Sequence, residues 1–270
     1  MTMNMKQWVA DILASDKKKS LPVLSFPSIQ KMGITVSELI NSSDKQAEGM
    51  KIIADSCPTA ASVSLMDLSL EAEAFGSTIR VSDDEVPTVI GSIVSTEEEA
   101  EALKVPEIGA GRTQIYIDAI EKACKLITDR PVLAGVIGPF SLAGRLLDVS
   151  EALIYCYDEP DMVHIVLQKV TEFLINYCNE YKKVGANGIV MAEPLAGLLS
   201  PDLAQEFSAD YCSFAIWRNI GGHQVTLAEA KELCEKGITS TELEMYREDG
   251  AIYRKRLGVV SPDKLQIVKI

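Results

Sequence analysis

One stretch constrains the fold of this chain more than any other: residues 188–194, which read GIVMAEP. A short apolar run that follows a turn signal at 185–187 predicts a strand buried on both faces, as in parallel α/β sheets. In such sheets, function gathers at the carboxyl ends of the strands. Glu193 lies at that end, where an acid has no packing purpose. It is therefore a candidate catalytic residue.

Strand and helix patterns alternate through most of the first 220 residues. Apolar runs predict strands at 22–26, 61–66, 132–138 and 188–193, with a small strand pair within 78–90 that lies off the main sheet. Helical patterns fall at 4–15, 37–57, 97–103, 114–128, 140–157, 160–184 and about 202–217. This alternation predicts an α/β fold with a parallel sheet, either open or closed as a barrel.

Composition excludes several classes of function. The chain has 270 residues, is 47% hydrophobic and carries a formal net charge of −13, which disfavours nucleic acid and anionic membranes as partners. No apolar run approaches the roughly 20 residues of a membrane span, and residues 1–19 lack the core of a signal peptide. The six cysteines are scattered without a Cys-x-x-Cys pair, which is typical of reduced thiols. We therefore expect a cytoplasmic protein.

The alternation stops after Ile220. Within 221–270, Thr226 and Glu229 form a capping-box pattern, Asp249-Gly250 is a hairpin signal, and 265–268 suggests one more short strand. We therefore predict two parts, residues 1–220 and a small α+β tail of residues 221–270. A weaker hypothesis gives the tail a DNA contact through helices at 227–236 and 239–246, but its three-residue basic cluster is better explained as a solvated hairpin edge.

Three further positions invite a chemical interpretation. Asp67 ends the second predicted strand and would point into the mouth of a barrel, or it would cap the helix that follows. The segment 138–141 opens a helix, so its backbone N–H groups would receive an anion or simply form a tight turn. Arg145, one turn further on, would contact a ligand or form a surface ion pair. Glu193 itself would accept a proton, hold a substrate group, complete a zinc shell or pair with a neighbouring base.

Four stretches, in this order, resemble the uroporphyrinogen decarboxylase superfamily: LPVLSFP at 21–27, MDLSLEAEAFG at 66–76, GPFSLA at 138–143, and MAEPLAGLLSP at 191–201. The resemblance covers residues 20–217 and is strongest to the cobamide-dependent methyltransferases of the methylcobamide:coenzyme M type. It implies a (β/α)8 TIM barrel with its active site at the carboxyl ends of the strands. We expect only the first four to five βα units here, with the familiar pattern truncated near Ile220 and a parallel sheet edge left exposed.

The resemblance also implies an activity. Such a methyltransferase moves a methyl group from a methylcobamide, supplied by a corrinoid partner protein, to a small thiol that zinc converts to its thiolate. Its catalytic residues would be Asp67 and Glu193. Its substrate-binding residues would be Phe26, Gly138, Phe140, Ser141 and Arg145. The His-x-Cys motif that holds zinc in this branch occurs nowhere in the sequence, so no metal ligand is assigned.

Two alternatives remain open. The first is a carboxy-lyase like uroporphyrinogen decarboxylase, with a tetrapyrrole-like ligand. That branch carries an arginine-rich segment where this chain reads FPSIQ at 26–30, and a substrate rich in carboxylates needs cationic partners. The second is a non-catalytic half-barrel that forms a homodimer or binds a corrinoid protein without turnover.

Overall fold

The computed structural model describes residues 3–17, 19–23 and 26–212, together with the backbone of 243–248, 251–256 and 267–269. Its helices are α1 Met5–Ala14, α2 Ser28–Met32, α3 Val36–Ile40, α4 Ser43–Ser56, α5 Leu70–Ala74, α6 Glu97–Ala102, α7 Thr113–Leu126, α8 Pro139–Leu147, α9 Val149–Asp158, α10 Pro160–Lys183 and α11 Pro201–Ala204. Its strands are β1 Ser62–Val63, β2 Thr78–Arg80, β3 Thr88–Ile90, β4 Val132–Ile137, β5 Gly188–Ala192, β6 Leu243–Glu248, β7 Ala251–Arg256 and β8 Ile267–Lys269. A 3-10 helix spans Pro194–Leu198 and a π-helix spans Gln205–Ala209.

The main sheet is parallel, as the alternation predicted. Its order is β1-β4-β5, with Ser62 opposite Val132 and with Leu133 opposite Gly188. Helices connect the strands, and the 24-residue α10 supplies much of the core through buried side chains such as Phe173 and Tyr177. The carboxyl ends of β1, β4 and β5 therefore lie along one edge. The predicted strand pair off this sheet is also confirmed, since β2 and β3 pair antiparallel.

Two strand predictions need correction. Pro22 and Val23 are not in a strand and Phe26 lies in a turn, while residues 24 and 25 are outside the described part. Proline lacks a backbone N–H for a ladder, and the Phe26 carbonyl instead accepts the N–H of Ile29. The strand predicted at 61–66 is also shorter than expected, since only β1 is paired.

The strand at 188–192 is present, but the prediction that it is buried on both faces was wrong. Every residue of β5 is partly exposed, whereas every residue of β4 is buried. The reason is position: β4 lies between two strands, while β5 is the edge of the described sheet. The other edge strand, β1, is nevertheless buried, so the exposure of β5 reflects a lack of covering elements on its own side of the described sheet.

Two predicted helices are each divided by a capping residue. The pattern at 37–57 forms α3 and α4, because the hydroxyl of Ser42 accepts the Lys45 N–H and starts a new helix. The pattern at 140–157 forms α8 and α9, with Asp148 between them at φ 76°. The Asp148 carboxylate accepts the N–H groups of Ser150 and Glu151, which offsets the cost of its left-handed backbone.

In the tail, β6 and β7 form the predicted hairpin and β8 pairs with β7. The helix proposed for 239–246 was wrong where the structure describes it, because 243–246 is part of β6. The helix proposed for 227–236 lies outside the described residues, and the division near 220 stays a prediction. No helix of the described chain has the length and apolar character needed to cross a membrane.

Candidate functional site

The candidate site lies where the loops after β1, β4 and β5 meet, at the shared carboxyl edge of the sheet. Glu193 is the first residue after β5 and begins the 3-10 helix Pro194–Leu198. The segment that starts at Gly138 follows β4 and opens α8. Asp67 lies four residues beyond the end of β1. The sheet therefore gathers at one edge the three positions that the sequence had singled out.

The Glu193 carboxylate binds the amino end of α8. Its Oε2 accepts the Phe140 N–H at 3.0 Å and its Oε1 accepts the Ser141 N–H at 2.6 Å. These are donors that an α-helix leaves unpaired at its start, and the helix dipole favours a negative charge there. The anion considered for this helix start is thus a side chain of the same protein. Phe140 and Ser141 are themselves buried.

Gly138 makes this contact sterically feasible. A β-carbon at residue 138 would overlap the Glu193 carboxylate, so no other residue fits without a shift. The Gly138 N–H also donates to the Ala192 carbonyl at 2.6 Å, and the Ser141 hydroxyl accepts the Leu195 N–H at 3.1 Å. The loops after β4 and β5 are thus joined on both sides of Glu193.

Cys212 is a neighbour of Glu193 that the sequence did not single out for chemistry. Its thiol donates to Glu193 Oε2 at a sulfur–oxygen distance of 3.6 Å. Burial, with the nearby Glu193 charge, raises the pKa of the Cys212 thiol to about 12. Burial also raises the pKa of Glu193 above its usual value, although the hydrogen bonds from Ser141 and Phe140 oppose this. The pair thus combines a protonated thiol with a carboxyl that ionises reluctantly.

His164 holds the segment that carries Cys212. Its ring stacks on Phe207 with centroids 4.7 Å apart, Nδ1 lies 2.8 Å from the Tyr211 hydroxyl, and Nε2 lies 3.2 Å from Glu206 Oε1. The histidine is half-buried. Its role is to connect α10 to the π-helix.

Asp67 is buried, with 3% of its surface exposed. Its Oδ1 accepts the N–H and the hydroxyl of Ser69, at 3.1 and 2.6 Å. Its Oδ2 accepts Arg112 Nη1 at 2.7 Å and the Tyr116 hydroxyl at 3.1 Å. The bonds to Ser69 form a local turn before α5. The N-cap of α5 is Ser69, without a side-chain cap hydrogen bond, so the alternative that Asp67 caps this helix was wrong. The carboxylate is thus held by four protein donors instead of projecting freely into a mouth.

Arg112 is a buried cation that the sequence analysis did not single out. Besides Asp67, its Nε binds Glu73 Oε2 at 2.7 Å, so one guanidinium joins two acids of the loop and helix after β1. Burial by itself lowers the pKa of Arg112, but the adjacent Asp67, Tyr116 and Glu73 outweigh it and raise that pKa. A usable signal was the pair of acids in the otherwise apolar run LEAEAF at 70–75. Acids in a buried helix need a partner.

Glu71 is the second buried acid of that run. Its Oε1 accepts the Ile137 N–H at 3.1 Å, while Oε2 is buried without a hydrogen-bond partner among the described residues. Burial raises the pKa of Glu71 to about 8. Its buried surroundings therefore favour the protonated form of Glu71.

The two remaining substrate-binding candidates lie at the margins. Phe26 is half-buried in the turn before α2 and packs against the main core. Arg145 is half-buried on α8, where its Nε has no hydrogen-bond partner and its side chain forms no ion pair with a described residue. The surface ion pair considered for Arg145 is therefore not seen in this part of the chain.

The described residues do not fit the zinc ion of the methyltransferase branch. They contain no group of three or more His, Cys, Asp or Glu side chains that could hold a metal ion. Within the part of the chain that the structure describes, Cys212 is the one residue of a metal-ligating type in contact with Glu193. Zinc requires three or four such ligands. No chemical step is therefore assigned to zinc in this chain.

Known proteins similar to this chain come from two activity classes. It is 28% identical over 163 residues to uroporphyrinogen decarboxylase of Coxiella burnetii, an overlap of 58% of this chain and 45% of that protein. It is 27% identical over 154 residues to the methylcobamide:CoM methyltransferase MtbA of Methanosarcina acetivorans, covering 54% and 44% of the two chains. It is 25% identical over 187 residues to MtaA of Methanosarcina barkeri, covering 65% and 55%. The chain thus spans about half the length of the curated relatives it matches.

The fold has a solved counterpart. A methyltransferase from Methanosarcina mazei superposes with a TM-score of 0.70 at 21% identity, over 80% of this chain and 67% of that one. The family model for uroporphyrinogen decarboxylase (URO-D) matches residues 24–226. The parallel β1-β4-β5 sheet is part of the TIM barrel that the resemblance implied. The match covers most of the chain, and the protein belongs to the uroporphyrinogen decarboxylase (URO-D) family.

Proposed function

We propose that this chain carries the strand-end face of a corrinoid-linked methyltransferase, which accepts a methylcobamide on a partner protein and passes the methyl group to a small thiol. The observation that carries the proposal is the Asp67–Arg112–Glu73 network. Its cation is paired with two acids, so its charge is balanced within the protein, although Nη2 has no hydrogen-bond partner among the described residues. A neutral or cationic reaction centre fits this edge better.

In this proposal Glu193 and Asp67 shape the reaction edge. Glu193 bridges the loops after β4 and β5, with Gly138, Phe140 and Ser141 holding it in place. Asp67 fixes the loop after β1 through Arg112. Phe26 and Arg145 would contact the ligand from the sides. Thiol activation is not assigned to any described residue.

The direct test is turnover. Purified protein is mixed with methylcobalamin and coenzyme M, and demethylation of the corrinoid is followed by its visible spectrum. Zinc content and oligomeric mass are measured on the same sample. Thiol-dependent demethylation that Glu193→Ala abolishes would support the proposal. Demethylation unaffected by that variant would contradict the assigned site, and no demethylation with or without added zinc would contradict activity of the chain alone.

One observation favours the carboxy-lyase as the second candidate. The Arg145 guanidinium lies on α8 with an unpartnered Nε and no ion pair among the described residues. A free arginine of this kind is a natural partner for a substrate carboxylate. Carbon dioxide release from uroporphyrinogen by the wild type, lost in Arg145→Gln, would support this candidate over methyl transfer.

The exposure of β5 supports a third candidate. This is a non-catalytic half-barrel that forms a dimer. One side of this strand has no ladder partner within the described sheet, and such an edge favours pairing with a second chain. Analytical ultracentrifugation gives the test. A stable dimer without turnover would favour the non-catalytic half-barrel over the methyltransferase and the carboxy-lyase.

A further inference from the structure

Glu71 lies between the two acidic centres of the site. It is on α5, four residues after Asp67, and its Oε1 accepts the N–H of Ile137. Ile137 ends β4 and is followed by Gly138, whose open side is filled by the Glu193 carboxylate. Glu71 thus holds the last peptide of β4 from one side while Glu193 packs against the next residue from the other.

The surroundings of Glu71 offer little support for a negative charge. Asp67 and Arg112 face it from the loops after β1 and before α7, and Tyr116 lies beyond them on α7. From α10 it faces Tyr177, Tyr181 and Cys178, whose own pKa values are all raised by burial and by its charge. The one cation in this set already binds Asp67 and Glu73. An ionised Glu71 would be a third acid beside a single guanidinium.

The hydrogen bonding of Glu71 also disfavours the ionised form of its side chain. A buried carboxylate needs several donors to replace water, yet Glu71 receives one backbone N–H on Oε1. Its Oε2 is buried and has no partner in the described part of the chain. A protonated carboxyl buries no charge and still accepts the Ile137 N–H at Oε1, although its own O–H has no acceptor among the described residues.

We infer that Glu71 is a positioning residue that works as an uncharged acid, joining the Asp67–Arg112 network to the Gly138–Glu193 contact. Ionisation at alkaline pH places a buried negative charge between the Asp67–Arg112 network and the Gly138–Glu193 contact, and it weakens both. The inference rests on the proposed function only in assigning Asp67 and Glu193 to the reaction edge. The state of Glu71 itself is measured without any substrate.

The experiment compares Glu71→Gln, Glu71→Leu and Glu172→Gln with the wild type by thermal unfolding from pH 5 to pH 9.5. Glutamine keeps a neutral acceptor for the Ile137 N–H, while leucine removes it. Glu172 lies on the exposed face of α10 and serves as the matched control. Because the folded pKa of Glu71 is about 8, above the usual 4.5, its stabilising contribution is complete below pH 4.5 and is lost as the pH rises to about 8.

The wild-type melting temperature should therefore fall relative to that of Glu71→Gln between pH 5 and pH 8, with no further change above. Glu172→Gln should follow the wild type, and Glu71→Leu should melt lower than Glu71→Gln at every pH. In protein labelled with ¹³C at the glutamate carboxyl, one signal absent from Glu71→Gln should titrate near pH 8. The inference would be overturned if the difference in melting temperature between the wild type and Glu71→Gln did not vary with pH. A Glu71 signal that titrates near pH 4.5 would overturn it as well.

Activity then separates this inference from the proposed function. If methyl transfer is measured, Glu71→Gln should retain it and extend it to higher pH than the wild type. If the titration is seen but no variant or wild type transfers methyl groups, the proposed function fails and the state of Glu71 stands. If activity is present but Glu71 ionises near pH 4.5, the proposed function stands and the inference about Glu71 fails.

Discussion

The Glu193 carboxylate occupies the volume that a β-carbon at residue 138 would need, so Gly138 and Glu193 form one structural unit. The glycine lets the acid reach the two free N–H groups at the start of α8. The loops after two parallel strands are joined in this way without a salt bridge. Four predictions follow from this contact and from the neighbouring Asp67–Arg112 network.

Gly138→Ala should destabilise the protein by about 1–3 kcal/mol, because the new methyl group forces the Glu193 carboxylate away from its donors. Denaturant unfolding measures the change. Gly197→Ala is the matched control, since a β-carbon there has no atom within 4 Å and it should change stability little. Equal losses in the two variants would show that the Glu193 contact is not the cause.

Glu193→Ala should cost about 1–3 kcal/mol, because it leaves the N–H groups of Phe140 and Ser141 without an acceptor. The loss should also depend on pH. Since burial raises the folded pKa of Glu193, its contribution is complete below the usual 4.5 and declines as the pH rises through the folded value. The difference in unfolding free energy from the wild type should thus be larger at pH 4 than at pH 8. A difference that grows with pH would contradict the burial argument.

Arg112→Met should destabilise by about 3–5 kcal/mol, because it leaves the Asp67 carboxylate buried without its cation. Lys51→Met provides the contrast. Lys51 pairs with Asp55 at the exposed surface one turn along α4, and removing it should cost less than about 0.5 kcal/mol. Urea unfolding of both variants checks the difference. Similar losses would mean that the Arg112 pair is no stronger than a surface pair.

Cys212 should react slowly with iodoacetamide at pH 8 in the folded protein. Its thiol pKa of about 12 leaves very little thiolate at that pH, and the thiolate is the reactive species. Peptide mass spectrometry after timed alkylation gives the rate, with the same peptide in urea as the reference. Glu193→Gln should raise the folded rate, because the nearby charge adds to the effect of burial. Alkylation as fast in the folded protein as in urea would exclude a raised thiol pKa.

Several features could be predicted from local sequence alone. The apolar run at 132–138 is β4, the run at 188–193 is β5 with Glu193 just beyond it, and Asp249-Gly250 separates the two paired strands β6 and β7. Four ordered motifs pointed to the URO-D family, whose model matches residues 24–226. Strand and turn preferences depend on neighbours within a few residues, so the chain itself carries this information.

The tertiary structure decided what lies next to what. β5 is half-exposed at one edge of the described sheet, a fact that its own apolar residues do not contain. Glu193 meets a helix start 52 residues away, and Asp67 meets an arginine 45 residues away. The raised pKa of Glu71 likewise depends on burial and on the charges of Asp67 and Arg112, which lie in two other parts of the fold. Periodicity determines secondary structure, but ionisation and pairing depend on distances and solvent exclusion that exist only once the chain has folded.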